Sequence, residues 1–221
     1  MNGQPVRVGL IFLAQFDDRS VALLQRCRRA LERLARGGWR LSIDGMVGRQ
    51  DRGAVVYRAS TFHDIDLFGV FEAPDWAAAL EGMALLEAAG WGRLFRCSWL
   101  LGPRDLGPTP TPAPPAGGLG FLALWNWNEA WHAASLAERS AYDVDCDIAF
   151  GNDTALGADQ AGRFSTSLTS AWDHVSLWEI TDAAMLGRAM RVHEEVRDFM
   201  FTASSHYIGW AMPFADLEDE R

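Results

Sequence analysis

The sequence predicts an α+β protein in which two β-α-β-β-α-β repeats close into an α+β barrel. Three observations carry this prediction. The 221 residues give room for one large domain or two small ones. A run dense in Pro and Gly, PRDLGPTPTPAPPAGG at 103–118, cuts the chain into halves of similar length; such a run neither joins a helix nor sits in a central strand. Each half then repeats the same order of apolar patterns. The expected division is an N-terminal half over 1–102, a connector over 103–118 and a C-terminal half over 119–221.

In the first half, VRVGLIFLAQF at 6–16 reads as a buried strand. SVALLQRCRRALERLARGG at 20–38 follows as an amphipathic helix, with Asp18 or Ser20 as N-cap and Gly37 as stop. Arg40–Met46, Gly53–Ala59 and His63–Phe71 read as strands. APDWAAALEGMALLEAAG at 73–90 is a helix opened by Pro74 and Asp75 and closed by Gly90. Phe95–Leu101 is the last strand. In the second half, GLGFLALWNW at 118–127 is a strand and Asn128–Ala149 is mostly helical. Arg163–Ser170 and Asp173–Ile180 read as strands, Thr181–Thr202 as a helix and Tyr207–Phe214 as the final strand. This is the ferredoxin-like order, twice. Two such units can pair their sheets with the helices outside, leaving a pocket between sheet and helices. An exposed sheet edge in such a unit suggests a homodimer that covers it. The acidic tail DLEDER at 216–221 reads as a solvated terminus.

Composition narrows the function. Hydrophobic residues at 49% and charged residues at 22% describe a globular chain rather than a disordered one. No apolar run approaches the length of a membrane span, and the first residues lack a basic lead; the expected location is the cytoplasm. A formal charge of −9 leaves no basic footprint for nucleic acid. All 20 basic residues are Arg, so lysine Schiff-base chemistry, pyridoxal phosphate attachment and a P-loop are excluded. Cys27, Cys97 and Cys146 are far apart and form no CxxC. Ten Trp suit a large apolar cavity for a small-molecule substrate.

Two clusters stand out. His193 shares one helical face with Ala189, Val196 and Met200. It reads either as a core histidine satisfied by hydrogen bonds or as an imidazole aimed into an apolar cavity, which a haem iron requires of its axial ligand; Glu194 and Glu195 could then orient the ring. In WNWNEAWH, Trp125 and Trp127 alternate along a strand and share a face, while Trp131 and His132 open the next helix. This is plain packing, or an aromatic wall with one titratable donor. His206 begins the final strand. His63 and His174 show no partner, and the five histidines form no HExxH or metal triad. Asp143, Asp145 and Asp147 are expected to splay around a helix into solvent.

The run at 131–142 resembles the aldoxime dehydratase family, haem lyases, through Trp131, Glu138, Arg139 and Tyr142. Gly151, Asp153 and Leu156, Arg163, and the segment 175–193 ending at His193 are similar to later parts of the family pattern, as is 65–80 in the first half. The family's distal Ser falls on His132, and its distal His has only His206 as a candidate. The related chlorite dismutase-like haem proteins share the double ferredoxin-like plan. Their ligand lies on the other helix of the second half, where the chain offers only His132.

The resemblance implies a haem b enzyme with His193 as iron ligand and with Trp125, Trp127, Trp131 and Met190 walling the cofactor. The reaction implied is dehydration of an aldoxime to a nitrile, with His132, and His206 second, as the acid that protonates the leaving oxygen. Alternatives are other N–O or N–N chemistry at the same haem, a haem-free α+β barrel monooxygenase or cyclase with a His base, and a plain ligand carrier.

Overall fold

The structure is a computed structural model that describes residues 6–50, 52–111 and 118–219. Its first half runs β1 (Val8–Phe16), α1 (Val21–Arg36), a short α2 (Ile43–Met46), β2 (Val55–Ala59), β3 (Leu67–Ala73), α3 (Trp76–Ala89), a short α4 (Trp91–Leu94) and β4 (Phe95–Leu106). Its second half runs β5 (Leu119–Trp127), a short α5 (Glu129–Ala133), α6 (Leu136–Leu156), β6 (Asp159–Ser165), β7 (His174–Ile180), α7 (Ala183–Glu195), a short α8 (Asp198–Phe201) and β8 (Thr202–Pro213). A 3-10 turn at Phe214–Glu218 follows.

The strands form one closed antiparallel barrel in the order β1-β3-β2-β8-β5-β7-β6-β4. The predicted α+β barrel is therefore what the chain forms. Two seams join the halves: β2 to β8, from Val55 opposite Pro213 to Ala59 opposite Gly209, and β4 to β6. Closure leaves no free sheet edge among the described strands, which removes the edge-covering reason for expecting a homodimer. No helix among the described residues is long and apolar enough to cross a membrane.

Strand alternation sorts the core into three parts. One set of faces fills the barrel interior, with Ile11, Tyr57, Phe68, Leu122, Leu124, Phe164 and Leu177. A methyl group at Gly120 would come within 2.1 Å of the Tyr57 ring, so only a glycine leaves that ring its place. The opposite faces meet the helices. In the first half, Leu10, Phe12, Phe71 and Phe95 meet Leu24, Cys27, Leu31 and Leu86 around a buried Trp91. In the second half, Phe121, Trp178 and Ile180 meet Met185 and Leu186.

Helix ends follow their sequence signals. Asp75 and Asp182 accept from the backbone N–H of Ala78 and Met185, and Gly90 closes α3 at φ 107. Ser135 and Glu138 form a capping box that starts α6 afresh after α5, so the mostly helical stretch from 128 is two helices, the second running on to Leu156.

Other boundaries depart from expectation. Arg40–Met46 is not a strand: Arg40 makes one bridge to Glu72, and Ser42 then caps the helical turn α2 by accepting from Gly45. β4 runs on through Pro103 to Leu106, so the first residues of the expected connector belong to the barrel, while 112–117 lie outside the described residues. β6 begins at Asp159 and ends at Ser165. The last long helix stops at Glu195, and β8 begins at Thr202, so His206 lies within a strand rather than at its start. The acidic tail is not simply solvated. Leu217 is buried, and Glu218 accepts from Gln25 and Arg28 on α1; residues 220 and 221 lie outside the described residues.

Candidate functional site

A cavity of about 250 Å³ lies between the outer face of the second-half strands and helices α6, α7 and α8. The strands supply Phe121, Ala123, Trp125 and Trp127 from β5, Trp178 from β7, and Thr202, Ser204 and His206 from β8. These are alternate positions, so the pleat aims them all at the helices. Opposite them, α6 presents Tyr142, Asp143, Cys146, Asp147 and Phe150, one face at steps of three and four. Met190 and His193 come from α7, Asp198 and Phe199 from α8, and Arg163 from β6. Aromatic contacts line the wall: Phe150 stacks on Trp178 with centroids 6.2 Å apart, and Phe121 lies 5.6 Å from Trp178.

His193 is buried, and both of its ring nitrogens are engaged. Nε2 lies 3.0 Å from Oδ2 of Asp153, and Nδ1 lies 2.9 Å from Oδ2 of Asp198. Burial works to lower its pKa, but the hydrogen bonds and charges of the two aspartates outweigh burial and raise it to about 9. At neutral pH the ring is a cation clamped between carboxylates. Tyr142 donates to the other oxygen of Asp198; burial and the Asp198 charge raise its pKa. The orientation comes from Asp153 and Asp198. Glu194 and Glu195, the expected partners, are exposed.

His206 is different. Its ring packs on Phe121 at 4.9 Å and Phe199 at 6.2 Å. Burial lowers its pKa, with the nearby His193 cation adding to the effect against the opposing pull of Asp198. It is thus a neutral imidazole on the sheet side of the cavity at neutral pH.

The remaining assignments divide. Trp125, Trp127 and Met190 line the cavity as expected. Trp131 does not; it stands behind the wall, stacked on Trp127 with centroids 4.2 Å apart. His132 is exposed on α5, outside the cavity lining, and its carbonyl accepts from Arg139. The geometry gives His132 no catalytic part, because it does not reach the cavity. Asp143 and Asp147 do not splay apart: one turn apart on α6, both border the cavity. His63 is a strand tie, its Nε2 accepting from the N–H of Ile208 at 2.9 Å.

Haem does not fit these residues as they stand. Nε2 of His193 is bonded to Asp153 and Nδ1 to Asp198, so the ring could serve as an axial ligand only if one of these bonds gave way. α6 turns Phe150, not a histidine, toward the cavity. The cavity also falls short of the roughly 300–1,000 Å³ of ordinary ligand pockets, and a four-ring macrocycle needs a large one. Among the described residues no group of three or more His, Cys, Asp and Glu is placed to hold a bare metal ion.

Comparison with known proteins places the architecture. No family model and no curated protein matches the sequence. Solved structures do match. A chlorite dismutase variant from Candidatus Nitrospira defluvii superposes with a TM-score of 0.74 at 12% identity, covering 98% of this chain and 95% of that one. The same enzyme in complex with imidazole gives a TM-score of 0.71 at 12% identity, over 96% and 94% of the two chains. A third structure, of a variant in complex with cyanide, gives 0.70 at 12% identity, over 96% and 94%. Identity this low speaks for architecture alone: the chain has the chlorite dismutase-like fold, an antiparallel eight-stranded barrel with helices packed outside.

Proposed function

We propose that the protein is an enzyme that binds a compact, largely apolar organic molecule in the second-half cavity and moves a proton on it. One observation carries this reading: a neutral imidazole, His206, opens into an aromatic cavity whose other histidine is held as a cation. Two titratable groups pushed to opposite sides of neutrality are the arrangement that acid–base chemistry uses. His206 acts as the base that takes a proton from the ligand. The Asp153–His193–Asp198–Tyr142 network holds a fixed positive ring behind the reacting volume and keeps α7 and α8 in register. Trp125, Trp127, Trp178 and Phe150 exclude water and orient a flat substrate. This is the haem-free α+β barrel enzyme among the sequence alternatives.

A second reading, the haem-dependent dehydration of an aldoxime to a nitrile and water, is favoured by the shared fold and by the likeness of 131–142 and 175–193 to aldoxime dehydratases. It requires His193 to leave one of its aspartates, or His206 to serve as ligand, and the cavity to widen. An absorption spectrum with and without added haem and dithionite separates the two. The proton-transfer reading expects no stoichiometric Soret band, saturable quenching of Trp fluorescence by compact aromatic molecules, and turnover lost in His206→Gln. A one-to-one Soret band with nitrile formed from an aldoxime panel would overturn it in favour of the haem enzyme.

A further inference from the structure

We infer that the second-half cavity selects an organic cation, a protonated alkyl or aralkyl amine or a quaternary ammonium, over neutral or anionic molecules of similar size. The inference rests on the proposed small-molecule site and adds the charge of its ligand.

Its basis is the contrast between wall and rim. The wall is aromatic, formed by Trp125, Trp127, Phe150 and Trp178. The faces of such rings carry negative potential and attract cations, most strongly where water is excluded. The rim is acidic. Asp143 and Asp147, one helical turn apart on α6, border the opening with exposed side chains. Charges deeper in the site do not offset them. Arg163 is held by both oxygens of Asp105 at 3.0 and 3.1 Å, and the His193 ring lies between Asp153 and Asp198. Among the lining residues the carboxylates of Asp143, Asp147 and Asp198 stand against Arg163 and His193, and each of those two cations is paired with a further carboxylate outside the lining, Asp105 and Asp153. Three negative charges remain over an apolar space. Low-dielectric walls focus that field into the cleft. An anion would meet like charge on entry. A neutral molecule would gain only from burial, and a cation gains from both burial and field.

The volume sets the size. About 250 Å³ suits a single ring bearing a substituted ammonium group and excludes a polycyclic cation. Because the deep histidine is already charged and paired, the ammonium is expected toward the α6 side, near Asp143 and Asp147, with the ring against Trp178 and Phe150. His206 then faces the carbon skeleton rather than the charge.

Three single-ring probes test this on the intact protein: phenyltrimethylammonium, its isosteric carbon analogue tert-butylbenzene, and the anion benzoate. Titration calorimetry and Trp fluorescence at low salt are expected to show phenyltrimethylammonium binding about tenfold more tightly than tert-butylbenzene, with benzoate weakest. The double variant Asp143→Asn, Asp147→Asn, both exposed and so no threat to folding, should shrink the cation preference to about threefold or less, and added salt should shrink it in the parent protein. If tert-butylbenzene or benzoate binds as tightly as the cation, the cation inference is overturned while the small-molecule site stands. If none of the three binds to folded protein, the small-molecule reading falls with it. If the double variant keeps the full preference, the rim carboxylates are not its source and the inference is overturned.

Discussion

The two halves solve the same packing problem differently. In the first, the space between strands and helices is solid: Trp91 is 1% exposed, stands edge-on to Phe12 at 5.5 Å and stacks on Phe214 at 5.7 Å. In the second, the equivalent space is lined by rings but left open, with His193 and His206 at its sides. One plan therefore yields one filled layer and one hollow layer. The difference lies in what α1 and α6 carry. On α1, Leu23, Leu24, Cys27, Leu31 and Leu34 face inward. On α6 the corresponding face bears Tyr142, Cys146, Phe150 and Asp153, with charge along the rim. Fold follows from the shared alternation, and function from the half where burial is incomplete.

The comparison can be broken or sharpened by substitution. Trp91→Ala empties the solid half and should destabilise the protein by about 3–5 kcal/mol, read by chemical denaturation, with ligand binding by the folded fraction unchanged. A loss under about 1 kcal/mol would show that the first half is no more tightly filled than the second. His206→Gln should leave stability nearly unaltered and lower turnover by a factor of about a hundred to ten thousand. If His206 is the base, kcat/KM of the parent protein should fall as pH drops through its lowered pKa, below the ordinary imidazole value of 6.5. A pH–rate profile with no acid limb below the ordinary imidazole value would remove His206 as the base.

Next in size is the response of stability to pH. The folded pKa of His193 is near 9 against an ordinary 6.5. Its proton therefore stabilises the fold fully below about pH 6.5, and that stabilisation is lost as pH rises through 9, for about 3 kcal/mol in all. Burial of Cys27, Cys97 and Cys146, which raises each to about 12, adds a loss above pH 9. Melting His193→Gln alongside the parent isolates the window from 6.5 to 9: the parent should lose stability there and the variant should not. The smallest effect is expected for Trp125→Ala on the cavity wall. It should cost about 1 kcal/mol or less in stability yet weaken binding of aromatic probes severalfold, the reverse of Trp91.

Much of the barrel was legible in the chain. Apolar runs gave β1, β5 and β7, while Asp75 and Gly90 marked helix ends, because these signals act within a few residues. Two local signals were passed over: Ser135 with Glu138, which starts α6, and Ser42 with Gly45, which turns 43–46 into helix rather than strand. Other features are tertiary. β6 begins at Asp159, in DQAGRFS, because β7 pairs with it there. β4 carries Pro103 through the barrel because it pairs with β1, Pro103 standing opposite Val8. For the site, the burial of His193 and the shared face of Trp125 and Trp127 were legible. The partners of His193 were not. Asp153 lies forty residues away, and Asp198 follows a break that helical periodicity did not announce. His132 was misread because neighbours along the chain stood in for neighbours in space.

That break is at Arg197, whose φ of 61 is the one positive value among the described non-glycine residues. On an uninterrupted helix, residues 193 and 198 would project about 140° apart and could not touch. By twisting a single residue into the left-handed region, at a conformational penalty of about 1–2 kcal/mol, the chain doubles back and delivers a carboxylate to a ring that linear helical geometry denies it. Handedness at one surface arginine thus governs whether a buried imidazole keeps its second proton.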